Sequence, residues 1–160
     1  MPTLDEAVAL GLSERLKKIR KRKGFSQDGL AAKASVSRAN VTALEQKRHA
    51  NVRLTTLVQL ANELEVDVVD LLLDREEKKQ LPEKPEPLER VVANVKALRA
   101  TKGLSQEALS EKAGRFRTYV GRLENRVANP LLVDLQDLAA ALDTTITRLL
   151  QPPTNRLDAD

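Results

Sequence analysis

The segment 37–45 carries a short row of small, polar and cationic side chains. Val41 and Leu44 have the spacing of a buried helix face, which turns the remaining side chains outward. The outward-facing set is Arg38, Ala39 and Thr42, with Asn40 as a further candidate. An arginine can donate two hydrogen bonds to guanine, and a small polar helix surface fits the DNA major groove. The chemistry expected of this segment is therefore recognition of base edges.

Two short helices joined by a tight turn would position this row. Ser26 is a suitable N-cap for the first helix, and Ser37 can cap the second after the segment 34–37 breaks the apolar period. An earlier helix is predicted over 13–23 and ends at Gly24. Its many basic residues either form a solvated face or contact phosphate near one end of the helix.

Composition excludes several classes of site. The 160 residues include no cysteine and one histidine, His49, which rules out disulfides, thiolate metal sites and clusters of histidine ligands. Aromatic residues make up only 2%, so the core must consist of leucine, valine, isoleucine and alanine, which favours packed helices. No apolar run approaches the ~18 residues of a membrane span, and the N-terminus lacks a signal-peptide pattern. We expect a cytoplasmic protein without a metal or cofactor, and an enzyme is the least favoured class.

The chain repeats itself at an offset of 79 residues. Residues 17–45 match residues 96–124 at thirteen positions, and after a one-residue gap the match continues at an offset of 78. The matched positions include polar as well as apolar residues, which indicates a duplicated domain rather than two helices of similar hydrophobicity.

The repeat divides the chain into two domains, predicted over 12–73 and 89–150. The segment 74–88 between them holds three prolines among charged residues, which predicts a semi-extended linker. The segment 151–160 is predicted to be a disordered tail. The positive charge, +4 for the whole chain, lies on the two repeated blocks, as expected of a protein that binds a polyanion.

The repeated motif resembles the helix-turn-helix of the lambda-repressor-like (Cro/Xre) transcriptional regulators. The matching residues are Gly24-Phe25-Ser26-Gln27 with Gly103-Leu104-Ser105-Gln106, Leu44-Glu45 with Leu123-Glu124, and Asn129-Pro130 before the fourth helix. The resemblance covers both blocks. It implies an all-α fold of two tandem five-helix domains, each with its third helix in the major groove of DNA.

The resemblance also implies three kinds of DNA contact, carried over by position. Glutamines that open the second helix would contact phosphate and assist base reading: Gln27 and Gln106. The base-facing positions of the two recognition helices are Arg38, Ala39, Asn40 and Ala43, and Arg117, Thr118, Tyr119 and Arg122. The positions that follow, and would meet the sugar-phosphate backbone, are Lys47, Arg48, Asn125 and Arg126. The expected DNA-binding set is completed by Ser37, Thr42 and Arg115.

Other repeated residues are better explained by structure than by DNA contact. In this family Arg20 would pair with Glu45, and Arg99 with Glu124, to tie the first helix to the end of the third. An acidic group near phosphates is unfavourable unless it is neutralised. Gly29 lies inside the second helix, where glycine costs ~1 kcal/mol relative to alanine.

The turn of the second copy departs from the family pattern. Arg115-Phe116 replaces Val36-Ser37, so that Phe116 occupies the usual cap position. We expect Phe116 to fill core volume and Arg115 to reach solvent or phosphate. Tyr119 is predicted to be exposed and able to touch a thymine methyl group or a phosphate; the alternative is a half-buried helix contact. The docking angle of the second recognition helix is therefore an open question.

The leading hypothesis is a sequence-specific, double-stranded DNA-binding transcriptional regulator. It would be a repressor or controller in which each of the two helix-turn-helix domains acts as a reading head, that is, recognises a base sequence. Because the outward residues of the two copies differ, its operator should hold two non-identical half-sites, bound by one chain or by a homodimer. In the alternative, one domain binds DNA while the other, more readily the second, serves dimerisation or captures a partner protein, as in an antitoxin or co-regulator. An interaction module that binds no DNA is the third possibility.

Overall fold

The computed structural model describes residues 5–46, 52–73 and 86–153. These ranges fold into ten helices, with one isolated antiparallel bridge and no other β-structure. The helices are α1 (Glu6–Arg22), α2 (Gln27–Ala34), α3 (Arg38–Glu45), α4 (Leu54–Glu63), α5 (Val68–Leu72), α6 (Pro87–Thr101), α7 (Gln106–Lys112), α8 (Tyr119–Glu124), α9 (Leu132–Ala141) and α10 (Ile146–Leu150). The predicted all-α fold is confirmed.

The helices fall into two compact units. Unit 1 comprises Met1–Pro82 with Asn129–Gln136, and unit 2 comprises Glu83–Ala128 with Asp137–Asp160. Helices α1 to α5 belong to unit 1, and α6, α7, α8 and α10 belong to unit 2. The domain boundaries expected from the repeat stay a prediction. Most of the predicted linker and tail lies outside the described residues.

The core of unit 1 is built from leucine, as the scarcity of aromatic residues requires. Leu16, Leu30, Leu44, Leu57 and Leu60 come from four different helices and are 0–1% exposed. Burying a leucine side chain contributes about 1.5–3 kcal/mol, and aliphatic side chains at helical spacing bring the helices together without a sheet. The inward face predicted for the third helix, Val41 and Leu44, is confirmed.

Helix α1 begins earlier than predicted, at Glu6 instead of Ser13. Asp5 is its N-cap, and a carboxylate oxygen of Asp5 accepts hydrogen bonds from the backbone N–H groups of Ala7 at 3.0 Å and Val8 at 3.3 Å. A capping carboxylate satisfies donors that a helix start would otherwise leave open. This local cap compensates for the weak apolar periodicity of the first residues.

The segment 129–136 belongs to unit 1 through backbone pairing. The N–H of Leu54 donates to the carbonyl of Pro130, and the N–H of Leu132 donates to the carbonyl of Val52, both at 2.9 Å. These bonds flank the antiparallel bridge between Arg53 and Leu131. They satisfy backbone groups at the starts of α4 and α9, which the sequence alone leaves without partners.

In unit 2, helix α6 begins at Pro87, two residues inside the predicted linker. Proline at the first helical position loses no hydrogen bond, and its fixed φ angle suits the helix. The buried side chain of Asn94 donates to the carbonyls of Leu149 at 3.0 Å and Gln151 at 2.9 Å. One amide of α6 therefore caps the C-terminal end of α10.

Candidate nucleic-acid interface

In unit 1 the third helix presents the predicted outward row. Ser37 caps α3, since its hydroxyl oxygen accepts the backbone N–H of Asn40 at 3.1 Å. Arg38, Ala39 and Asn40 are exposed, whereas Val41 is completely buried. The side chains at the start of α3 are thus free to meet a ligand, while the apolar side of the helix holds it against the core.

Arg38 forms an exposed ion pair with Asp28 of α2. The guanidinium Nε lies 3.3 Å from a carboxylate oxygen, and the two side chains are 65% and 67% exposed. Pairs at this exposure contribute about 0–1 kcal/mol, so the interaction orients the arginine without fixing it. The guanidinium remains accessible to an anion or to a base edge.

Beneath this surface, a buried network joins α1, α2 and α3. Arg20 donates through Nε and Nη2 to the two carboxylate oxygens of Glu45, at 2.5 and 2.9 Å. Gln27 donates through Nε2 to Glu45 at 2.8 Å, and its Oε1 accepts from the hydroxyl of Thr42 at 3.2 Å. The predicted pairing of Arg20 with Glu45 is confirmed, and Gln27 is anchored at both ends of its amide.

The network keeps Glu45 ionised. Burial raises the pKa of this carboxyl group. The hydrogen bonds from Arg20 and Gln27 and the positive charges of Arg20 and Lys17 lower the pKa by a larger amount, so the net pKa lies below its ordinary value. The same hydrogen bond to Glu45 outweighs burial at Arg20 and raises the pKa of the guanidinium. The carboxylate can therefore act only as a hydrogen-bond acceptor.

Unit 2 repeats the network with one difference. Arg99 donates to both oxygens of Glu124 at 2.8 and 3.1 Å, which confirms this predicted pair, and Gln106 donates to Glu124 at 2.6 Å. The position of Thr42 is occupied by Gly121, which has no hydroxyl group to donate to the glutamine. The glutamine of unit 2 therefore lacks the second anchor that Thr42 provides in unit 1.

The recognition helix of unit 2 begins later than its counterpart. Helix α8 starts at Tyr119, whereas the residue aligned with the first residue of α3 is Arg117. Thr118 is the N-cap and makes no side-chain capping hydrogen bond. Phe116, in the position of Ser37, has no oxygen with which to cap, so Arg117 and Thr118 lie in a turn before the helix and are exposed.

Two aromatic residues are placed opposite to expectation. Tyr119 is only 7% exposed, and Phe116 is 56% exposed, so the predictions of an exposed tyrosine and a core phenylalanine were wrong. Their rings meet edge to face, with centroids 5.5 Å apart and planes at 87°. Because the helix starts at Tyr119, this ring turns inward, and Phe116 packs on it from the solvent side.

Arg115 does not reach solvent as predicted. Its guanidinium forms an ion pair with Asp137 of α9, and the two side chains are 17% and 29% exposed. The apolar turn residue of the first copy, Val36, is thus replaced by an arginine whose charge is neutralised within unit 2. A role for Arg115 in DNA contact stays a prediction.

The remaining predicted residues lie at the surface or outside the described part of the chain. Thr42 and Ala43 are half-buried on α3. Three residues at the end of α8 and just after it are exposed: Arg122, Asn125 and Arg126. Lys47 and Arg48 lie outside the described residues.

A cleft of about 260 Å³ opens on the recognition surface of unit 2. Five of the predicted residues line it: Gln106, Arg117, Thr118, Arg122 and Asn125. Three lining residues were missed from the sequence: Glu107, Gly121 and Val127. The available signal was the replacement of Thr42 by Gly121 between the copies, because a glycine on the outward side of a short helix leaves space that a side chain would fill.

Two other kinds of site are absent from the residues that the structure describes. They contain no group of three or more histidine, cysteine, aspartate or glutamate side chains that could hold a metal ion. None of their helices combines the length and the apolar character that crossing a membrane requires.

Comparison with known proteins identifies the fold family. The chain matches the helix-turn-helix family twice, over residues 16–71 and 95–149. A hypothetical transcription factor of Neisseria meningitidis serogroup B is 36% identical over 78 residues, which span 49% of this chain and 74% of that protein. Control protein C.SmaI of Serratia marcescens is 44% identical over 57 residues, which span 36% of this chain and 68% of that protein.

A solved structure is also similar. The crystal structure of the hypothetical transcription factor NHTF from Neisseria is 34% identical, with a TM-score of 0.45, and the match covers 51% of this chain and 93% of that one. The two family matches together span more than half of the chain and coincide with the two copies of the repeat. The chain therefore belongs to the helix-turn-helix family, as a Cro/Xre-type protein with two tandem domains.

Proposed function

We propose that this DNA-binding transcriptional regulator reads an operator with both of its recognition helices. The observation that carries the proposal is an exposed arginine at the same position of both copies, Arg38 and Arg117. Beneath each lies a partly buried network of a glutamine, a glutamate and an arginine. Such a network orients a helix against the core, and an exposed arginine at its start can donate two hydrogen bonds to guanine. Each such contact discriminates against the wrong base by about 1–3 kcal/mol.

The two heads are proposed to read different half-sites. In unit 1 the exposed start of α3 carries Ala39 and Asn40, whereas the aligned residues of unit 2 are an exposed Thr118 and a buried Tyr119. The shared arginine would favour guanine in both half-sites, and the differing neighbours would set the flanking bases. A control protein among the relatives supports a role as a repressor or controller of transcription.

Selection of bound sites from random DNA, followed by binding in rising salt, tests the proposal. R38A and R117A should each relax the base preference of one half-site and leave that of the other. K96A is the matched control, since Lys96 is an exposed cation of α6 outside both recognition helices. It should lower affinity for all sequences alike, if at all. Unchanged base preference in both arginine variants would refute base reading by these residues.

A second candidate function rests on the apolar surface of unit 2. Phe116 and Val127, at 56% and 64% exposed, are the large apolar side chains that the described residues leave exposed. In this alternative, unit 1 binds DNA while unit 2 mediates dimerisation or binds a partner protein. F116S restores the residue type of the first copy. It should leave DNA binding unchanged and abolish self-association if the alternative holds, whereas a change in one half-site preference would favour two reading heads.

A further inference from the structure

The glutamines that open α2 and α7 differ in one contact. In unit 1, Oε1 of Gln27 accepts the hydroxyl proton of Thr42 at 3.2 Å, and the half-buried threonine side chain lies against the amide. In unit 2 the corresponding position is Gly121, where a Cβ atom would lie 3.2 Å from Oε1 of Gln106. A side chain at position 121 would thus be in tight contact with the amide oxygen of Gln106, and the glycine leaves that oxygen uncovered.

The orientation of the Gln106 amide follows from its partner. The carboxylate oxygens of Glu124 accept two hydrogen bonds from Arg99, and one of them also accepts the Nε2–H of Gln106 at 2.6 Å. The amide is planar, and its oxygen therefore points away from Glu124. Oε1 lies beside Gly121, which has no side chain to cover it, and both residues line the cleft.

The chemistry of the cleft suits the edge of a base. At about 260 Å³ it is smaller than the 300–1,000 Å³ typical of small-molecule pockets. Glu107 adds a second acceptor to its lining, and Arg117 and Arg122 supply positive charge that offsets the carboxylate near phosphates. In the major groove, the groups that donate to an acceptor are the exocyclic amines of adenine and cytosine.

We propose that Oε1 of Gln106, left uncovered by Gly121, accepts a hydrogen bond from the exocyclic amino group of a cytosine or adenine in the second half-site. In the first domain, Thr42 covers Oε1 of Gln27 and prevents the same contact. The inference rests on the proposed function. It assigns different base specificities to two glutamines that occupy aligned positions and each donate a hydrogen bond to a glutamate.

Exchange of the two residues tests the inference in the full-length chain. G121T should close the cleft and cover Oε1 of Gln106, and T42A should uncover Oε1 of Gln27. Neither variant is expected to unfold its helix, since threonine is a better helix former than the glycine it replaces in G121T, and alanine is a better one than the threonine it replaces in T42A. Far-UV circular dichroism checks this before binding is measured.

The readout is binding to the selected operator with one base at a time replaced by an analogue that lacks its exocyclic amine, purine for adenine or 2-pyrimidinone for cytosine. The wild-type chain should lose about five- to tenfold in affinity at one position of the second half-site, the loss of one hydrogen bond. G121T should bind the normal and substituted operators equally at that position. T42A should acquire a new sensitive position in the first half-site.

Failure of the inference and failure of the proposed function give different results. A wild-type chain that selects a sequence but is insensitive to removal of every amine overturns the inference alone. The same is true if G121T retains the wild-type sensitivity. A chain that selects no sequence overturns the proposed function, and the inference with it.

Discussion

Removal of the Glu45 charge should destabilise unit 1 strongly, and the substitution E45Q makes this change at nearly constant volume. The carboxylate accepts two hydrogen bonds from Arg20 and one from Gln27, and its side chain is only 4% exposed. The Arg20 side chain is 8% exposed, so water cannot replace the lost anion. Loss of one partner from a buried ion pair costs about 3–5 kcal/mol, because the other charge stays buried and unneutralised.

Unit 2 offers a matched comparison through E124Q. Arg99 pairs with Glu124 in the same geometry, but its side chain is 21% exposed and its two bonds are 2.8 and 3.1 Å long. Partial access to water allows the guanidinium to be solvated when the carboxylate is lost. We therefore expect E124Q to cost about 1.5–3 kcal/mol, the value of a hydrogen bond to a charged group, and less than E45Q.

Urea unfolding followed with two optical signals measures these costs. Far-UV circular dichroism reports the helices of both units, whereas tyrosine fluorescence reports unit 2, because Tyr119 is the only tyrosine and the chain has no tryptophan. The double variant R20M/E45L should recover most of the E45Q loss, since apolar side chains can replace a buried ion pair. A loss of stability below about 1 kcal/mol for E45Q would refute the argument from burial. A loss for E124Q as large as that for E45Q would refute it too.

Three further predictions concern stability and pH. The pKa of Glu45 is depressed, so its contribution to stability is present above the unfolded-state pKa and is lost as pH falls through the lower folded-state pKa. The stability of E45Q should therefore depend less on pH than that of the wild type in an acid titration. G29A should stabilise unit 1 by about 0.5–1 kcal/mol in urea unfolding, since Ala108 occupies the aligned position of unit 2 with its cap intact. N94A should cost unit 2 about 1–3 kcal/mol in thermal unfolding, because the α10 carbonyls lose their donor.

Each of these has a clear contrary result. Equal acid sensitivity in the wild type and E45Q would assign the pH dependence to other groups. Destabilisation by G29A would mean that the Ser26 hydroxyl cannot move away from the new Cβ atom, which would lie 3.1 Å from it. An N94A variant as stable as the wild type would show that water caps α10 equally well.

Local signals in the sequence predicted the helices that position the site, and the family resemblance predicted the ion pairs beneath it. Ser26 and Ser37 cap α2 and α3 as expected, and Gly24 follows α1 with a φ of +78°, a conformation that glycine adopts without strain. The pairs of Arg20 and Arg99 with their glutamates were predicted from the family resemblance rather than from local pattern, because their partners lie 25 residues away.

The errors arose where tertiary packing decides the outcome. Whether Tyr119 or Phe116 is buried depends on where α8 begins, and that depends on a missing capping oxygen. The pairing of Arg115 with Asp137 joins residues 22 apart that no local period connects. The cleft at Gly121 is lined by residues from three separate stretches of unit 2, which no local period connects, and it was not predicted.

Under the proposed function, the exposed ion pair of Arg38 with Asp28 makes the aspartate a competitor of DNA for the guanidinium. Any ligand of this arginine must first displace a carboxylate held on the adjacent helix, at a cost of up to about 1 kcal/mol. A bidentate contact of the guanidinium to guanine offsets that cost, whereas a single exposed contact to a phosphate barely offsets it. If Arg38 reads a base as proposed, Asp28 should shorten the residence time of the first domain on random DNA more than on its operator, and so act as a filter during the search for the correct site.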